Sequence, residues 1–277
     1  MHKILVTGGN GFIGKSLVRA LREREYNTTV LSRQKGNEEG VQYLIGDITN
    51  REQINNIFQQ TKPNTVIHLA SLTRGSYEEL HKTNVIGTRN ILEQHKGRVI
   101  FLSSGMVYQG NATPYTEDML INPKEDYPKT KAEAEKLCLE RTNTCILRAS
   151  MIYGPEQTGT MFIPALKEYL KTKEAAFRMT KGKQKRDFLY IDDLVNLIIH
   201  VLEENVNGIF NASSGTNISM KEVIEKARKI VGDFQIENSI PYRENEMWGY
   251  ILDNTKARVW GWNPKINLEE GLKRTLS

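Results

Sequence analysis

A strand that breaks into evenly spaced glycines and then into a helix constrains this chain more than any other sequence feature. The apolar run Ile4–Val6 leads into Gly8, Gly11 and Gly14, and a helical apolar periodicity begins at Ile13. Glycines allow the tight turn, the close approach of a ligand and the packing of helix on strand, although a purely structural turn can also use them. The N–H groups at the helix start are suited to a pyrophosphate. Because strand and helix are both in place, the motif predicts a dinucleotide site. It would be formed by Gly8, Gly11, Phe12, Ile13 and Gly14.

Length and composition restrict the broad class of protein. The 277 residues are 39% hydrophobic and 26% charged, which is ordinary for a globular protein with a sizeable core. No apolar run approaches the roughly 18 residues of a membrane span, and a first strand at Lys3 leaves no room for a signal peptide. Cys138 and Cys145 lack C-x-x-C spacing. We therefore expect a cytoplasmic protein without a disulfide framework.

The net charge of +5 raises the question of a nucleic-acid partner. The densest basic cluster, Lys181–Arg186, is short and has no interleaved aromatic residues. This composition favours a solvated face or an anionic small substrate over nucleic acid. The histidines form no metal-binding spacing, so no metal site is predicted. His68 lies in an apolar strand, where a structural role is the simpler interpretation.

Strand and helix patterns alternate along the first part of the chain. This alternation predicts an α/β fold with a doubly wound parallel sheet of the Rossmann type. We assign residues 1–155 to a dinucleotide-binding domain, with parts of 186–213 returning to it. The alternation weakens beyond Pro155, and residues 156–277 are expected to form mainly a smaller C-terminal α/β substrate domain.

The end of the second predicted strand is where this fold distinguishes between nicotinamide cofactors. An acidic residue about 20 positions after the glycines would bind the ribose 2′-hydroxyl, whereas an arginine accommodates a 2′-phosphate. Arg33 stands 19 residues after Gly14, and no acidic residue follows it before Glu38. We therefore favour NADP(H). In the alternative interpretation Arg33 is an ordinary surface residue and the cofactor is NAD(H).

Further cofactor contacts are predicted where later strands end. Asp47 could accept a hydrogen bond from the adenine amino group, or it could cap the helix that begins near Arg51. The small residues Ala70 and Ser71 would let the backbone pass close to the cofactor.

Ser104, Tyr127 and Lys131 are the predicted catalytic group. Tyr127 and Lys131 are four residues apart in a predicted helix, so both side chains can project from one face. A phenol with a pKa of about 10 is a poor base at neutral pH, but a neighbouring ammonium and an oxidised nicotinamide would lower that pKa. Tyr127 would then exchange a proton with a sugar hydroxyl or ketone during hydride transfer. Ser104 would hydrogen-bond the same oxygen, and Lys131 would orient the cofactor ribose. A Y-x-x-x-K pair alone is a common accident.

Together these motifs resemble the extended short-chain dehydrogenase/reductase family, in its group of nucleotide-sugar epimerases, dehydratases and reductases. The likeness covers nearly the whole chain. The matching segments are Thr7–Gly14, Gly46–Ile48, His68–Ala70, Asn84–Thr88, Ser103–Tyr108, Tyr127–Lys131, Leu147–Arg148, Tyr153–Pro155, Arg186–Phe188, Asp192–Asp193, Gly208–Asn211, Asp253–Arg258 and Gly261–Trp262.

The resemblance implies a nucleoside-diphosphate sugar as substrate and specific roles for individual residues. Arg186 would bind a phosphate through its guanidinium fork, the alternative being an ordinary ion pair. A homodimer is expected through two helices, here residues 77–95 and 128–141. The implied substrate contacts are Thr73, Ser104, Met106, Tyr127, Met151 and Arg186. Beyond the glycine loop, the cofactor contacts are Arg33, Asp47, Ile48, Leu69, Ala70, Ser71, Asn84, Tyr127 and Lys131.

Three departures from the family pattern bear on the type of reaction and on the substrate pocket. Gly105 and Met106 occupy the positions of the Asp-Glu pair that eliminates water in the dehydratases, so we reject dehydration. Met151 stands where an asparagine usually contacts the substrate. Lys181–Gln184 replaces the usual G-D-G approach to the R-D-F motif, and both changes indicate an unusual substrate pocket.

Three functions remain open. Because of Arg33, the sequence favours an NADP(H)-dependent reductase of a 4-keto nucleotide sugar. An NAD-dependent nucleotide-sugar 4-epimerase would use the same catalytic residues. A non-catalytic NADP-binding regulator is the third possibility, but such a protein would be expected to lose Tyr127 or Lys131.

Overall fold

The central strands of the main sheet contain continuous buried apolar runs, as expected for a sheet covered on both faces. In the first strand Ile4, Leu5 and Val6 are all buried. The computed structural model describes residues 2–108, 113–172, 175–244 and 246–277. The strands in chain order are β1 (Lys3–Thr7), β2 (Asn27–Ser32), β3 (Gln42–Ile45), β4 (Thr65–His68), β5 (Arg98–Ser104), β6 (Thr144–Ala149), β7 (Met151–Tyr153), β8 (Phe177–Arg178), β9 (Lys185–Arg186), β10 (Phe188–Tyr190), β11 (Gly208–Ala212), β12 (Ile218–Ser219) and β13 (Ile236–Glu237).

Helices alternate with these strands in the first part of the chain. They are α1 (Phe12–Glu23), α2 (Arg51–Thr61), α3 (Tyr77–His81), α4 (Gly87–Gln94), α5 (Asp126–Leu139), α6 (Phe162–Thr172), α7 (Ile191–Glu203), α8 (Met220–Val231), α9 (Thr255–Val259) and α10 (Leu268–Leu276). A π-helical segment, Lys82–Ile86, joins α3 to α4, and a 3₁₀ turn, Gly105–Val107, follows β5. The helix predicted over 77–95 is therefore helical from Tyr77 to Gln94, with a π-helical segment in its middle.

Seven strands form the main sheet in the order β11-β6-β5-β4-β1-β2-β3. Neighbours from β3 to β6 pair in parallel, for example Val6 with Val30 of β2 and with Ile67 of β4. The chain leaves β1 toward β2 and later returns to its other side as β4, which creates a topological switch point between β1 and β4. The loops that follow these two strands meet there. The predicted Rossmann-type parallel sheet is confirmed.

Among the described residues, two hydrophobic clusters pack helices onto this sheet. One contains Leu5, Leu31 and Val66 from the strands together with Ile54 and Phe58 of α2. The other joins Phe101 and Ile146 to Ala134 and Cys138 of α5. The second cluster fixes α5 against β5 and β6.

The chain divides into two compact units. The first comprises Met1–Gln109, Asp118–Ala149 and Val195–Phe210, and the second comprises Gly110–Glu117, Ser150–Leu194 and Asn211–Ser277. The assignment of cofactor and substrate to separate parts of the chain stays a prediction. Within the described ranges, no helix combines the length and apolar character that crossing a bilayer requires. Nor do three or more potential metal ligands cluster anywhere among those residues.

Candidate active site

The glycine loop after β1 forms a cradle that side chains leave open. Gly8 has a φ of +73°, and a Cβ atom there would lie 2.7 Å from the Ala70 nitrogen. A Cβ atom on Gly14 would overlap the Gly8 carbonyl oxygen. Helix α1 begins at Phe12 with Gly11 as N-cap, without a side-chain cap and without an acidic residue in its first turn. By contrast, a side chain caps each of α2, α3, α8 and α10. The free N–H groups of α1 and its positive dipole end therefore fit a pyrophosphate.

The exposed guanidinium of Arg33 lies directly after β2. Asn10 of the glycine loop donates through Nδ2 to the Ser32 hydroxyl at 3.2 Å and to the Gln34 carbonyl oxygen at 2.7 Å, which ties that loop to the end of β2. Arg33 is exposed and makes no hydrogen bond or ion pair with any residue that the structure describes. Glu38 forms an ion pair with Arg22 at 2.5 Å. The sequence placed Asn10 within the glycine motif but did not predict that its side chain bonds to the end of β2.

Asp47 and Ile48 have clear local roles after β3. Asp47 accepts a hydrogen bond through Oδ1 from the backbone N–H two residues later, at 2.8 Å. Helix α2 is capped by the Asn50 side chain, so the alternative interpretation of Asp47 as its cap is wrong. The Ile48 side chain is buried in the hydrophobic core, and its carbonyl oxygen accepts from Asn90 at 2.9 Å. A cofactor contact from Ile48 would therefore have to use its backbone N–H.

The side chain of Asn84 is fully engaged by its neighbours. Its Oδ1 accepts from the Leu72 N–H at 2.7 Å and from the Ser71 hydroxyl at 3.0 Å. Its Nδ2 donates to the Leu72 carbonyl oxygen at 2.8 Å and to the Thr130 hydroxyl at 2.9 Å. Since an amide has these four capacities, none remains for the predicted direct cofactor contact. Asn84 instead holds the segment after β4 against α5. That segment includes the half-buried Leu69 and Ala70 and the exposed Thr73.

Ser104, Tyr127 and Ser71 meet beyond the end of β5. Ser104 is the last residue of that strand, and α5 carries Tyr127 in its first turn. Burial raises the pKa of Tyr127 above its usual value of 10.0, and interactions with the Ser104 and Ser71 hydroxyls partly oppose this rise. Among the protein's own groups the net shift of the Tyr127 pKa is upward, because burial outweighs both hydroxyls; a lowering by the charge of an oxidised nicotinamide stays a prediction. The phenol is neutral at pH 7 and can act as a proton donor.

The ammonium group of Lys131 is hydrogen-bonded to strand β5. Its Nζ donates to the Leu102 carbonyl oxygen at 2.7 Å and lies 4.1 Å from the centroid of the Phe101 ring. Burial lowers the pKa of Lys131 from 10.5 to about 8, while the neighbouring Cys138 and Glu135 raise it. Sequence reasoning identified Lys131 correctly as a neighbour of Tyr127 along the helix, but not its bond to the strand.

The predicted substrate residues fall into both units. In the first unit Met106 is 37% exposed within the 3₁₀ turn after Ser104, and this turn carries no carboxylate. In the second unit Met151 is half-buried at the start of β7. Arg186 forms an ion pair with Glu246 at 2.6 Å, which is the alternative role considered for it. Its contact with a phosphate stays a prediction.

A buried charged network beside the catalytic group was not anticipated. Glu135 of α5 pairs with Arg148 of β6 at 2.8 Å, and both side chains are almost completely buried. Glu135 also accepts a hydrogen bond from Ser103, and Arg148 donates to the Tyr108 hydroxyl at 2.8 Å. One sequence signal could have found it: Glu135 follows Lys131 by four residues, on the same helix face.

Known proteins share both the sequence pattern and the fold. The family model for the NAD dependent epimerase/dehydratase family matches residues 4–213. The human dTDP-D-glucose 4,6-dehydratase is 28% identical over 99% of this chain and 89% of its own length. The UDP-glucuronate 4-epimerase of Thermodesulfobacterium geofontis is 29% identical over 100% and 96% of the two chains. The structure of the UDP-glucose 4-epimerase from Thermotoga maritima with UDP-glucose superimposes with a TM-score of 0.88 at 28% identity, over 99% of this chain and 97% of that one. On this match of sequence and fold, the chain belongs to the NAD dependent epimerase/dehydratase family.

Proposed function

We propose that the chain is an NADP(H)-dependent nucleotide-sugar oxidoreductase that reduces a 4-keto nucleotide sugar. The observation that carries this proposal is Arg33, whose exposed guanidinium is uncommitted among the described residues. A 2′-phosphate is the natural partner for such a group at the end of the second strand. The acidic residue that follows, Glu38, is already paired with Arg22, so it is a poor ligand for a ribose 2′-hydroxyl.

The state of Tyr127 suits the reductive direction. Bound NADPH would supply a hydride to the carbonyl carbon of the sugar. Tyr127, kept neutral by its raised pKa, would donate its proton to the carbonyl oxygen and complete the alcohol. The hydroxyl of Ser104 would donate a hydrogen bond to the same oxygen. Oxidation of a sugar hydroxyl would instead require the phenolate at the outset.

Membership of the family supports a nucleotide-sugar substrate, and so does the position of Arg186 in the second unit. The Thermotoga maritima relative was solved with UDP-glucose, and Arg186 lies in the R-D-F segment that the family uses near the diphosphate. Dehydration is disfavoured although the human relative is a dehydratase, because Gly105 and Met106 offer no carboxylate beside Ser104. Cys138 and Cys145 are buried and form no disulfide, which is in keeping with a reducing cytoplasm as the site of reaction.

A second candidate is an NAD-dependent nucleotide-sugar 4-epimerase. It is favoured by the sequence identity to two 4-epimerases, which extends over nearly the whole chain. Such an enzyme must retain its cofactor between the two hydride transfers, whereas a reductase must exchange it after each turnover. Cofactor retention therefore separates the two candidates.

The deciding experiment is to denature the purified protein and identify any released nicotinamide by mass spectrometry. Titrations with NADPH and NADH would follow, and then turnover assays with 4-keto nucleotide sugars. Preference for NADPH together with consumption of a 4-keto sugar would support the reductase. Stoichiometric NAD that stays bound through purification, together with interconversion of C4 epimers, would instead support the epimerase.

Substitution of Arg33 by alanine is expected to weaken NADPH binding selectively. Loss of a charge-assisted hydrogen bond costs about 1.5–3 kcal/mol, which corresponds to an increase in Kd of about 10- to 100-fold. The Kd for NADH should not change, since NADH lacks the 2′-phosphate. Calorimetric titration of both cofactors tests this. Lys35→Ala, which removes an exposed cation two residues away, is the matched control, and an unchanged preference in Arg33→Ala would refute the contact.

We also propose a homodimer through the surface formed by α3, α4 and α5. On this surface the Tyr77 hydroxyl donates to Glu133 at 3.0 Å, and His81 lies 3.5 Å from the same carboxylate. Light scattering during size exclusion should give twice the mass of one chain, and Tyr77→Arg should reduce it to one. A wild-type protein of single-chain mass at micromolar concentration would exclude this dimer.

A further inference from the structure

The helix that carries the catalytic pair is joined to β5 by three side chains spaced one turn apart. Tyr127, Lys131 and Glu135 occupy positions i, i+4 and i+8 and therefore share one face of α5. Each side chain reaches one of three consecutive residues at the end of β5. Tyr127 interacts with Ser104, Lys131 donates to the Leu102 carbonyl oxygen, and Glu135 accepts from the Ser103 hydroxyl.

Glu135 is itself fixed by Arg148. The guanidinium donates through Nε to Oε1 at 3.2 Å and through Nη2 to Oε2 at 2.8 Å, and the two side chains are 1% and 4% exposed. Its Nη1 donates to the Tyr108 hydroxyl at 2.8 Å, and its Cζ lies 4.7 Å from the centre of that ring. A buried ion pair is weak support for stability, because desolvation offsets most of the attraction. What the pair does provide is a fixed geometry.

This network holds the chain on both sides of Ser104. Ser103, which precedes it, is bonded to Glu135, and Tyr108, which follows the 3₁₀ turn, is bonded to Arg148. The same carboxylate belongs to the helix that carries Tyr127. This buried network, together with the hydrophobic packing of α5 on β5, therefore sets the separation between the Ser104 hydroxyl and the Tyr127 phenol.

We propose that Glu135 is a positioning residue, which together with Ser103, Arg148 and Tyr108 sets the placement of Ser104 relative to Tyr127 and Lys131. The inference rests on the proposed function, since it assumes that Ser104 and Tyr127 act on one substrate oxygen. A displacement of about 1 Å between reacting groups can lower a rate by about 10²-fold. Loss of the network should therefore reduce kcat more than it alters KM.

Two substitutions test the network at different points. Ser103→Ala removes only the hydrogen bond that joins Glu135 to strand β5. We expect a fall in kcat of about 10-fold or more with little change in KM. Glu135→Gln keeps the shape but removes the charge that raises the pKa of Lys131, so it should also move the ionisation of Lys131 to lower pH. Ser103→Ala should leave that ionisation in place. If Glu135→Gln does not fold, the kcat and KM of Ser103→Ala decide the kinetic claim.

A buried carboxylate remote from this network serves as the matched control. Asp193 accepts hydrogen bonds from the N–H groups of Lys265 and Ile266, both at 2.9 Å, within the second unit. Asp193→Asn should lower thermal stability but leave the kcat and pH profile of the folded enzyme unchanged. A purely structural role for Glu135 would give the same result in Glu135→Gln, and that outcome would overturn the proposal.

The inference and the proposed function can fail separately. If the wild-type enzyme reduces no 4-keto nucleotide sugar, the proposed reduction fails. The coupling of Glu135 to Lys131 is then read without turnover, from the pH dependence of unfolding in wild-type, Glu135→Gln, Lys131→Met and the double variant. If Glu135→Gln leaves the Lys131-dependent part of that curve where it is in the wild type, the network does not act on the catalytic lysine.

Discussion

Replacement of Tyr127 by phenylalanine is expected to lower kcat by about 10²- to 10⁴-fold, the range for loss of a positioned general acid. The phenol is the group placed between the Ser104 and Ser71 hydroxyls, and its raised pKa keeps the transferable proton on it at neutral pH. Phenylalanine retains the ring and removes only the hydroxyl. The Kd for NADPH should change much less than kcat, because Tyr127 is one of many expected cofactor contacts, so that the loss falls mainly on the chemical step.

Single-turnover decay of NADPH fluorescence with a 4-keto nucleotide sugar measures that step directly. The control is Tyr77→Phe, because Tyr77 is exposed and donates to Glu133 on the opposite side of α5 from the catalytic face. It should retain wild-type rates. A Tyr127→Phe enzyme with rates within a factor of about 3 of the wild type would show that another group supplies the proton, and the mechanism proposed here would be abandoned.

The local geometry that the sequence predicted and the structure contains is defined by short spacing, while the binding and catalytic roles of these residues stay predictions. The glycine loop was identifiable because only glycine fits the positive φ of Gly8 and the contact of Gly14 with the Gly8 carbonyl. The pairing of Tyr127 with Lys131 follows from helical periodicity. His68, interpreted as structural, is buried between Thr7 and Thr88, and burial together with Lys131 lowers its pKa to about 3. Its neutral ring has no free nitrogen for a metal or a substrate.

The parts that could not be predicted depend on contacts between distant segments. Lys131 bonds to Leu102, 29 residues away, and the groups that lower the Tyr127 pKa are the hydroxyls of Ser104 and Ser71. Asn84 lies in a π-helical segment, where hydrogen bonds with Ser71, Leu72 and Thr130 fill the capacity of its side chain. Such partners are determined by how α5 packs on β5, which no pattern within a single element specifies.

Lys131→Met is expected to remove a pH dependence of stability that the wild-type protein should show. Burial lowers the pKa of Lys131 from 10.5 to about 8. At neutral pH the amine is protonated in both the folded and unfolded states, and the folded state carries the full cost of the buried charge. As pH rises through about 8, the folded amine loses its proton while the unfolded amine retains its proton up to about 10.5. The unfolded state then binds more protons, so stability increases with pH.

Since one pKa unit corresponds to about 1.4 kcal/mol, the relief from Lys131 between neutral pH and pH 10.5 is about 3 kcal/mol. Urea unfolding across this range should show the wild-type free energy of unfolding rising relative to that of Lys131→Met by this amount. Lys129→Met, which removes an exposed lysine of the same helix, should run parallel to the wild type. If the free energies of unfolding of the wild type and Lys131→Met also run parallel across this pH range, the pKa of Lys131 in the wild-type protein lies near its ordinary value. The protein would then retain a charged Lys131 well above pH 8, and the loss of that charge could not limit turnover in mildly alkaline solution.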